Sequence, residues 1–347
     1  MQAQLFSPQH HQRRTHTLRR LSIDGRMRKT SPVFASYWRF AMERQEIFWR
    51  RLNGIQPFTD DPILSKFKFT NAYRVLDRTS QYLIREVINQ GSQSADELFF
   101  RILLFKLFNK IETWELLRDS FVEPTLEEYS FARYDRVFTQ ALEKGRRIYS
   151  AAYIMPSGGP NGESKKHRSH LRLLEMMLRD QVPKKLKEYR TMREGFTLLR
   201  SYPMIGDFLA YQFITDLNYS SLTSFSEMEF VMPGPGAMDG LKKCFPEMVP
   251  CEAASLIRAV CENQRELQER LEINPVLLFG RPLQLIDCQN LFCETDKYAR
   301  VAFPGIIGFS GRTRIKQSFR ITGPIPDPVF PSKWNLSMKH PSSAGSP

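Results

Sequence analysis

The chain has 347 residues, 41% of them hydrophobic. That argues against wholesale disorder, and no apolar run approaches the roughly 20 residues a membrane-crossing helix needs. The formal charge is +13, but residues 1–30 hold seven Lys/Arg against one acid and residues 301–347 hold six against one, which leaves 31–300 at +2. The charge sits in the two ends, where it would attract phosphates without reading sequence, or serve as a nuclear-import signal or a solvated tail.

Residues 1–30 read as a disordered basic arm. They lack an apolar signal region, so an intracellular, nuclear-compatible location is expected. Helical patterning begins at Ser31, an N-cap followed by Pro32 at the first helical position. Phe34, Tyr37, Trp38, Ala41, Ile47 and Phe48 recur at helical spacing until Gly54. A second helical region is expected over Lys66–Asn89. Within it Arg74 and Arg78 share a face four residues apart, and Asn71, Arg74 and Asp77 either form a surface ion-pair helix or point into a cleft. Ala95–Leu117 is apolar nearly all round and predicts a buried helix, whose embedded Asn109 needs a partner.

Pro124 opens another helix. The stretch from Pro156 to Lys166 is the clearest loop of the body, but it is not a phosphate-binding P-loop: Gly162 is followed by Glu163-Ser164 and no strand precedes it. Two short helices follow, over 170–177 and 183–190. They lead into TMREGFTLLRSYPMIGDFLAYQFITDLNY, residues 191–219, which predicts a helix, a hairpin at Ser201–Gly206 and a second helix. Pro203 stops the first helix, and Gly206 leaves the next helix N-terminus open to a phosphate. A Pro-x-Ile-Gly turn of this kind suits a helix-hairpin-helix element that grips a DNA backbone; the same stretch also fits an ordinary helix–helix turn.

Asp216 lies near the C-terminal end of the second helix, where an acid opposes the helix dipole. It caps the next turn or faces a substrate. Beyond it, Pro233-Gly234-Pro235-Gly236 is a stiff turn flanked by Glu227, Glu229 and Asp239, with Glu227 and Glu229 about two dozen residues after the hairpin. Glu252–Glu272 predicts a long amphipathic helix. Residues 281–294 predict a last core helix with many polar groups, Asp287, Gln289, Asn290 and Glu294, followed by Asp296, Lys297 and Arg300. The remainder, 301–347, reads as a Pro/Gly/Ser-rich basic tail.

The body is expected to be all-α, with no repeats and no sustained strand pattern. Cys244, Cys251, Cys261, Cys288 and Cys293 form no CxxC pair, and Cys261 comes too late for an iron–sulfur loop, so reduced thiols are expected. His10, His11, His16 and His340 lie in the arms, leaving only His167 and His170 in the body. A Ser-His-Asp, Cys-His or His-rich metal site is therefore not expected; no cofactor is legible, and carboxylates must carry any acid–base chemistry.

The stretches FTNAYRVLDRTSQYLI, FFRILLFKLFNKIETW, SYPMIGDFLAYQFITDLNY, FVMPGPGAMDGLKKCF and LQLIDCQNLFCETDKYAR resemble the helical-domain family of the 5-hydroxymethyl-deoxyuridine DNA kinases. That family overlaps the predicted α-glutamyl/putrescinyl-thymine pyrophosphorylases of phage DNA hypermodification. The resemblance spans roughly residues 31–300. It implies a DNA-glycosylase-like helical fold acting on a modified thymine in DNA, with a nucleotide or amine co-substrate as a further partner. It also implies a shared site lined by Asn71, Arg74, Asp77, Gly206, Asp216, Glu229, Gly234, Gly236, Asp239, Gln289, Glu294, Lys297 and Arg300. The expected enzyme grips a backbone phosphate at Pro203–Gly206 and flips the base into a helical cleft. Glu229 is its first candidate base, with Asp239 and Asp216 behind it; Arg74 and Lys297 hold phosphate. The alternative is a non-catalytic nucleic-acid-binding module.

Overall fold

Ser31 accepts the Val33 amide at 3.1 Å and Pro32 takes the first helical position, so helix α1 (Pro32–Leu52) starts where its sequence places it. The computed structural model describes residues 18–336 except 24, 122, 153–154, 159–162, 164 and 322. The N-terminal histidines, much of the 156–166 loop and the last eleven residues lie outside that set. Among the described residues the chain is helical, with two short β-ribbons.

Helix α2 (Pro62–Lys66) is capped by Asp61, whose carboxylate accepts the Ile63 and Leu64 amides at 2.7 and 2.9 Å. The expected helix over Lys66–Asn89 forms only in its second half, as α3 (Arg78–Tyr82) running into a π turn over Leu83–Ile88. The first half is pulled out of the helix by local side-chain bonds. Asn71 donates its amide to Asp77 Oδ1 (2.8 Å) and its Nδ2 to the Leu76 carbonyl (2.7 Å), which closes a loop in place of a helical turn.

The apolar stretch from Ala95 is two helices, α4 (Ala95–Phe108) and α5 (Ile111–Ser120). Asn109 between them sits in the left-handed region (φ 48°), which Asn tolerates, and its Oδ1 accepts from Lys106 Nζ at 2.6 Å. From Leu98 to Phe108 every residue of α4 is buried, so the helix runs through the middle of the core. There follow α6 (Phe131–Glu143), α7 (Lys166–Arg179), α8 (Val182–Glu188), α9 (Met192–Arg200), α10 (Asp207–Leu217) and α11 (Pro235–Cys244). The helix expected over 252–272 breaks at Asn263 into α12 (Ala253–Glu262) and α13 (Gln264–Arg270). The last long helix, α14 (Leu285–Ala302), packs along α11 and against α1 and α12.

The described parts of both terminal regions, 18–29 and 303–336, are held more firmly than their composition suggests. Arg20–Ile23 (β1) and Arg26–Lys29 (β2) form an antiparallel ribbon inside the expected disordered arm. Leu21 and Ile23 are buried in the core, and Arg28 pairs with Glu252. A second ribbon joins Leu277–Leu278 (β3) to Arg281–Pro282 (β4).

The expected C-terminal tail runs along the body instead. The Lys68 amide donates to Gln317 O (3.0 Å) and the Phe319 amide to Lys66 O (2.9 Å). Gln81 exchanges two hydrogen bonds with the Val329 backbone. Lys333 Nζ donates to Asn218 Oδ1 and the Thr223 carbonyl, and Trp334 donates to Glu227 at 2.8 Å while Arg281 lies over its ring. Pro-rich composition removed the helical signal without removing these backbone and aromatic anchors.

Candidate functional site

Helix α14 is the spine of the site. Asp287 in its first turn accepts the Gln284 amide at 3.0 Å, which caps the helix, and the Arg74 amide at 2.8 Å, which pins the irregular 70–76 segment beside it. Burial pushes the Asp287 carboxyl up to about 6, partly offset by those two amides. The polar residues of α14 are not a solvated face: Asp287, Gln289, Glu294 and Asp296 are all buried.

Deepest in the structure is an ionic cluster. Arg74 extends from a 3₁₀ turn (Arg74–Leu76) to meet Asp216 in two parallel bonds of 2.7 and 2.9 Å, Gln212 at 3.1 Å and the Tyr219 hydroxyl at 3.2 Å. Lys106 reaches the second Asp216 oxygen at 3.0 Å. Burial alone would raise the Asp216 pKa, but the Arg74 and Lys106 cations outweigh it and hold the carboxyl low. The acid that looked misplaced against the helix dipole is thus the counter-ion of two buried cations. It neither caps the next turn nor lies open to a substrate, since it has no exposed surface. Arg74 and Arg78 do not share a face either: Arg74 is buried and Arg78 points to solvent.

Nearer the surface, Asn71, Asp77, Glu294 and Lys297 form a second group. Arg44 on α1 donates to the Thr70 carbonyl (2.8 Å) and to Asn71 Oδ1 (3.1 Å). Glu294 accepts the Thr70 amide (3.0 Å) and Lys297 Nζ (2.9 Å), and that ammonium lies 4.6 Å from the centre of the Phe69 ring. Asp77 is partly buried. Burial first, and the neighbouring Glu294 charge, push its carboxyl up to about 7, against the Asn71 amide bond and the two arginines. Arg300, one turn beyond Lys297, pairs with Asp296 and donates to the Arg314 carbonyl of the C-terminal segment at 3.0 Å.

The third group is a floor of glycines. Gly234 is the N-cap of α11; a Cβ there would lie 2.9 Å from the Phe208 ring and 3.5 Å from Gln289 Nε2. A Cβ on Gly236 would overlap Cys293 of α14, and one on Gly240 would overlap the Phe292 carbonyl, so α11 and α14 lie closer than any side chain allows. Phe208 links this floor to the turn before α10, where Gly206 is the N-cap and is exposed. That turn needs a left-handed residue and uses Met204 (φ 66°). Pro156 and residues 200–206 line a shallow hollow there.

Two expected carboxylates stand apart. Glu229 accepts the Met192 amide at 3.0 Å and so caps α9; its backbone carbonyl is held by Arg258. Asp239 accepts the amide and hydroxyl of Ser310 and fixes the loop after α14. Among the described residues no hydrogen bond links Glu229, Asp239 and Asp216, each of which has its own structural partners. Arg74 with Asp216, Asn71 with Asp77, and Glu294 with Lys297 do come together around α14. Lys106 and Gln212 were missed. Their signal was present, because a lysine in a helix apolar on all sides requires a buried counter-ion.

Residues 31–308 match the family model for the helical domain of 5-hmdU DNA kinases, and the chain belongs to that family. It is similar to a 5-hmdU DNA kinase of Bacillus phage SP10, with 24% identity over 279 residues, 74% of this chain and 43% of that protein. The chain therefore spans less than half of that relative's length. No solved structure matches it.

Proposed function

We propose that this chain modifies a 5-hydroxymethyluracil-type base in DNA, taken out of the duplex into the space between the α10 and α11 N-termini and α14. The observation that carries the reading is that the family match covers the one helix, α14, on which the polar groups and the glycine floor meet. A base inside a duplex is out of reach of such groups, so it must be extruded. The α9–turn–α10 unit acts as a helix-hairpin-helix clamp on a backbone phosphate, with the open amides at Gly206 as donors.

The nearly neutral body does not oppose this. Arg312, Arg314, Lys316 and Arg320 are exposed, and the bonds of residues 317–319 to 66–68 bring that segment alongside exposed Lys66 and Lys68. The result is a cationic strip next to Lys297 and Phe69. It supports a path for the DNA backbone leading to the site.

Among the carboxylates, Asp77 suits a general base better than Glu229, Asp239 or Asp216. It is partly exposed, its pKa lies near neutrality, and Lys297 and Glu294 stand beside it. In this reading it takes the proton of the base's hydroxymethyl group as that oxygen attacks the terminal phosphorus of a nucleoside triphosphate, and the nucleoside diphosphate leaves. Amines form the second donor class to compare: there the amine nitrogen is the nucleophile, and it displaces the phosphate of the already phosphorylated hydroxymethyl group.

The test is a duplex with a single 5-hydroxymethyluracil, incubated with the protein and each donor class, then digested to nucleosides and weighed by mass spectrometry. A mass gain on that nucleoside alone is expected. Binding should also show a steep salt dependence, and replacing Arg312, Arg314 and Lys316 with Gln should lower the slope by about 2 to 3. Retention of DNA with no preference for the modified duplex and no mass gain would leave a plain nucleic-acid-binding module.

A further inference from the structure

The geometry points to Gln289 as the residue that reads the imide edge of the extruded base, in a seat that the Phe208 ring fills in this structure. The inference rests on the base-handling reading above and assigns its specificity element. Gln289 is only 2% exposed, and its Oε1 has no hydrogen-bond partner among the described residues. Its Nε2 faces the Gly234 backbone at the start of α11, whose first amides no side chain caps.

A buried amide left half unsatisfied costs free energy that a leucine of similar size would not. An amide kept in such a place has use for a ligand that completes it. The ligand must be flat. The Phe208 ring already lies against Gly234, close enough that a single added methyl would press on it, so the space is a slot of ring thickness. Phe208 is itself only partly buried, in the first turn of α10 beside the Pro203–Gly206 turn, where it packs against the edge of the core.

A uracil ring in the same slot presents N3–H as donor with a carbonyl oxygen on either side. Gln289 offers the complement: Oε1 accepts N3–H and Nε2 donates to a carbonyl. Cytosine presents an acceptor at N3 and an amino donor next to it, and so fits only the reversed amide. The 5-substituent lies on the ring edge away from N3, so Gln289 would select the pyrimidine and leave the hydroxymethyl group to the reacting residues.

The experiment measures affinity by fluorescence anisotropy for duplexes carrying one 5-hydroxymethyluracil or one 5-hydroxymethylcytosine. It uses the full chain, Gln289→Leu and Phe208→Ala, with a melting curve for each. A good bidentate pair corresponds to a preference of about 5- to 150-fold. Gln289→Leu should erase that preference while melting at or above the wild-type temperature, because it removes an unsatisfied polar group. Phe208→Ala should tighten binding to the hydroxymethyluracil duplex, since no ring has to be displaced. A preference that survives Gln289→Leu, or a melting temperature several degrees lower, would overturn the assignment and leave the base-handling reading standing. Weaker binding by Phe208→Ala would overturn the seat. A wild-type protein indifferent to the base would overturn the functional reading itself, and the assignment with it.

Discussion

Replacing Asp216 with Asn separates architecture from chemistry at the centre of the molecule. Asp216 is fully buried and is shared by Arg74 and Lys106, which are 2% and 3% exposed. Asn keeps the shape and removes the charge, leaving two buried cations without their anion. Breaking a buried pair in this way costs about 3–5 kcal/mol. Against a total of about 5–15 kcal/mol for a folded domain, that is at least about a fifth of the stability. Urea unfolding at pH 7, followed by tryptophan fluorescence, should show a lower midpoint with an unchanged slope. Adding Lys106→Met should recover part of the loss, because it removes one of the two buried charges that Asp216 balances. The native pKa of Asp216 lies below its unfolded value, so its stabilisation is present above about pH 4 and fades as pH falls through the native value. The gap between variant and wild type should therefore narrow in acid. A variant that unfolds like wild type at pH 7, yet no longer modifies DNA, would refute the counter-ion argument and make Asp216 a chemical group.

Three other substitutions test the frame and the outer group. Gly240→Ala places a methyl into the Phe292 backbone, which cannot rotate away, so α11 must lift from α14; a melting temperature within a degree or two of wild type would disprove that close approach. Asp77 has a native pKa near 7, well above its unfolded value, so its ionisation opposes folding. Stability should fall as pH rises from about 4 to 7, and Asp77→Asn should flatten that slope in a series of melting curves; an unchanged slope would mean the carboxyl is not held protonated. Glu229→Gln keeps an oxygen that can accept the Met192 amide, so it should lower stability by no more than about 1 kcal/mol and leave turnover intact. Loss of turnover at full stability would return Glu229 to the role its spacing after the hairpin suggested.

The helices were legible where apolar periodicity and a cap coincide. Ser31 with Pro32 gave the start of α1, and Thr191 with Glu194, which form a capping box, lead into the α9–turn–α10 unit. What could not be read were the breaks. Asn109 and Asn263 end helices whose apolar pattern continues past them, and a pattern does not report a single residue's backbone angles. The region 66–77 failed for a related reason: Asn71 and Asp77 bond to the chain locally and override the helical spacing of their neighbours. The site was legible as a set of residue types but not as a geometry. Spacing after the hairpin favoured Glu229, yet a carboxylate beside a buried residue such as Phe230 can as readily cap a distant helix, and only the fold decides which amide it meets.

Helix α14 carries its polar surface inside the protein because it anchors several neighbours at once. A helix that must hold Arg74, Lys243, Thr70 and Lys297 in register needs an acceptor on several faces, and Asp287, Glu294 and Asp296 provide them: Asp287 to the Arg74 amide, Asp296 to Lys243 at 2.8 Å, Glu294 to Thr70 and Lys297. Each is satisfied, so the network fixes one arrangement of its neighbours, as fully paired buried polar groups do. Gln289 interrupts that pattern. It lies on the same helix, is as buried as the others, and its Oε1, like Thr295 Oγ1, meets no hydrogen-bond partner among the described residues. If the helix were polar only for its own cohesion, this position should be the first to tolerate an apolar side chain. If it is polar for a base, the same change should leave the fold intact and cost the protein its discrimination.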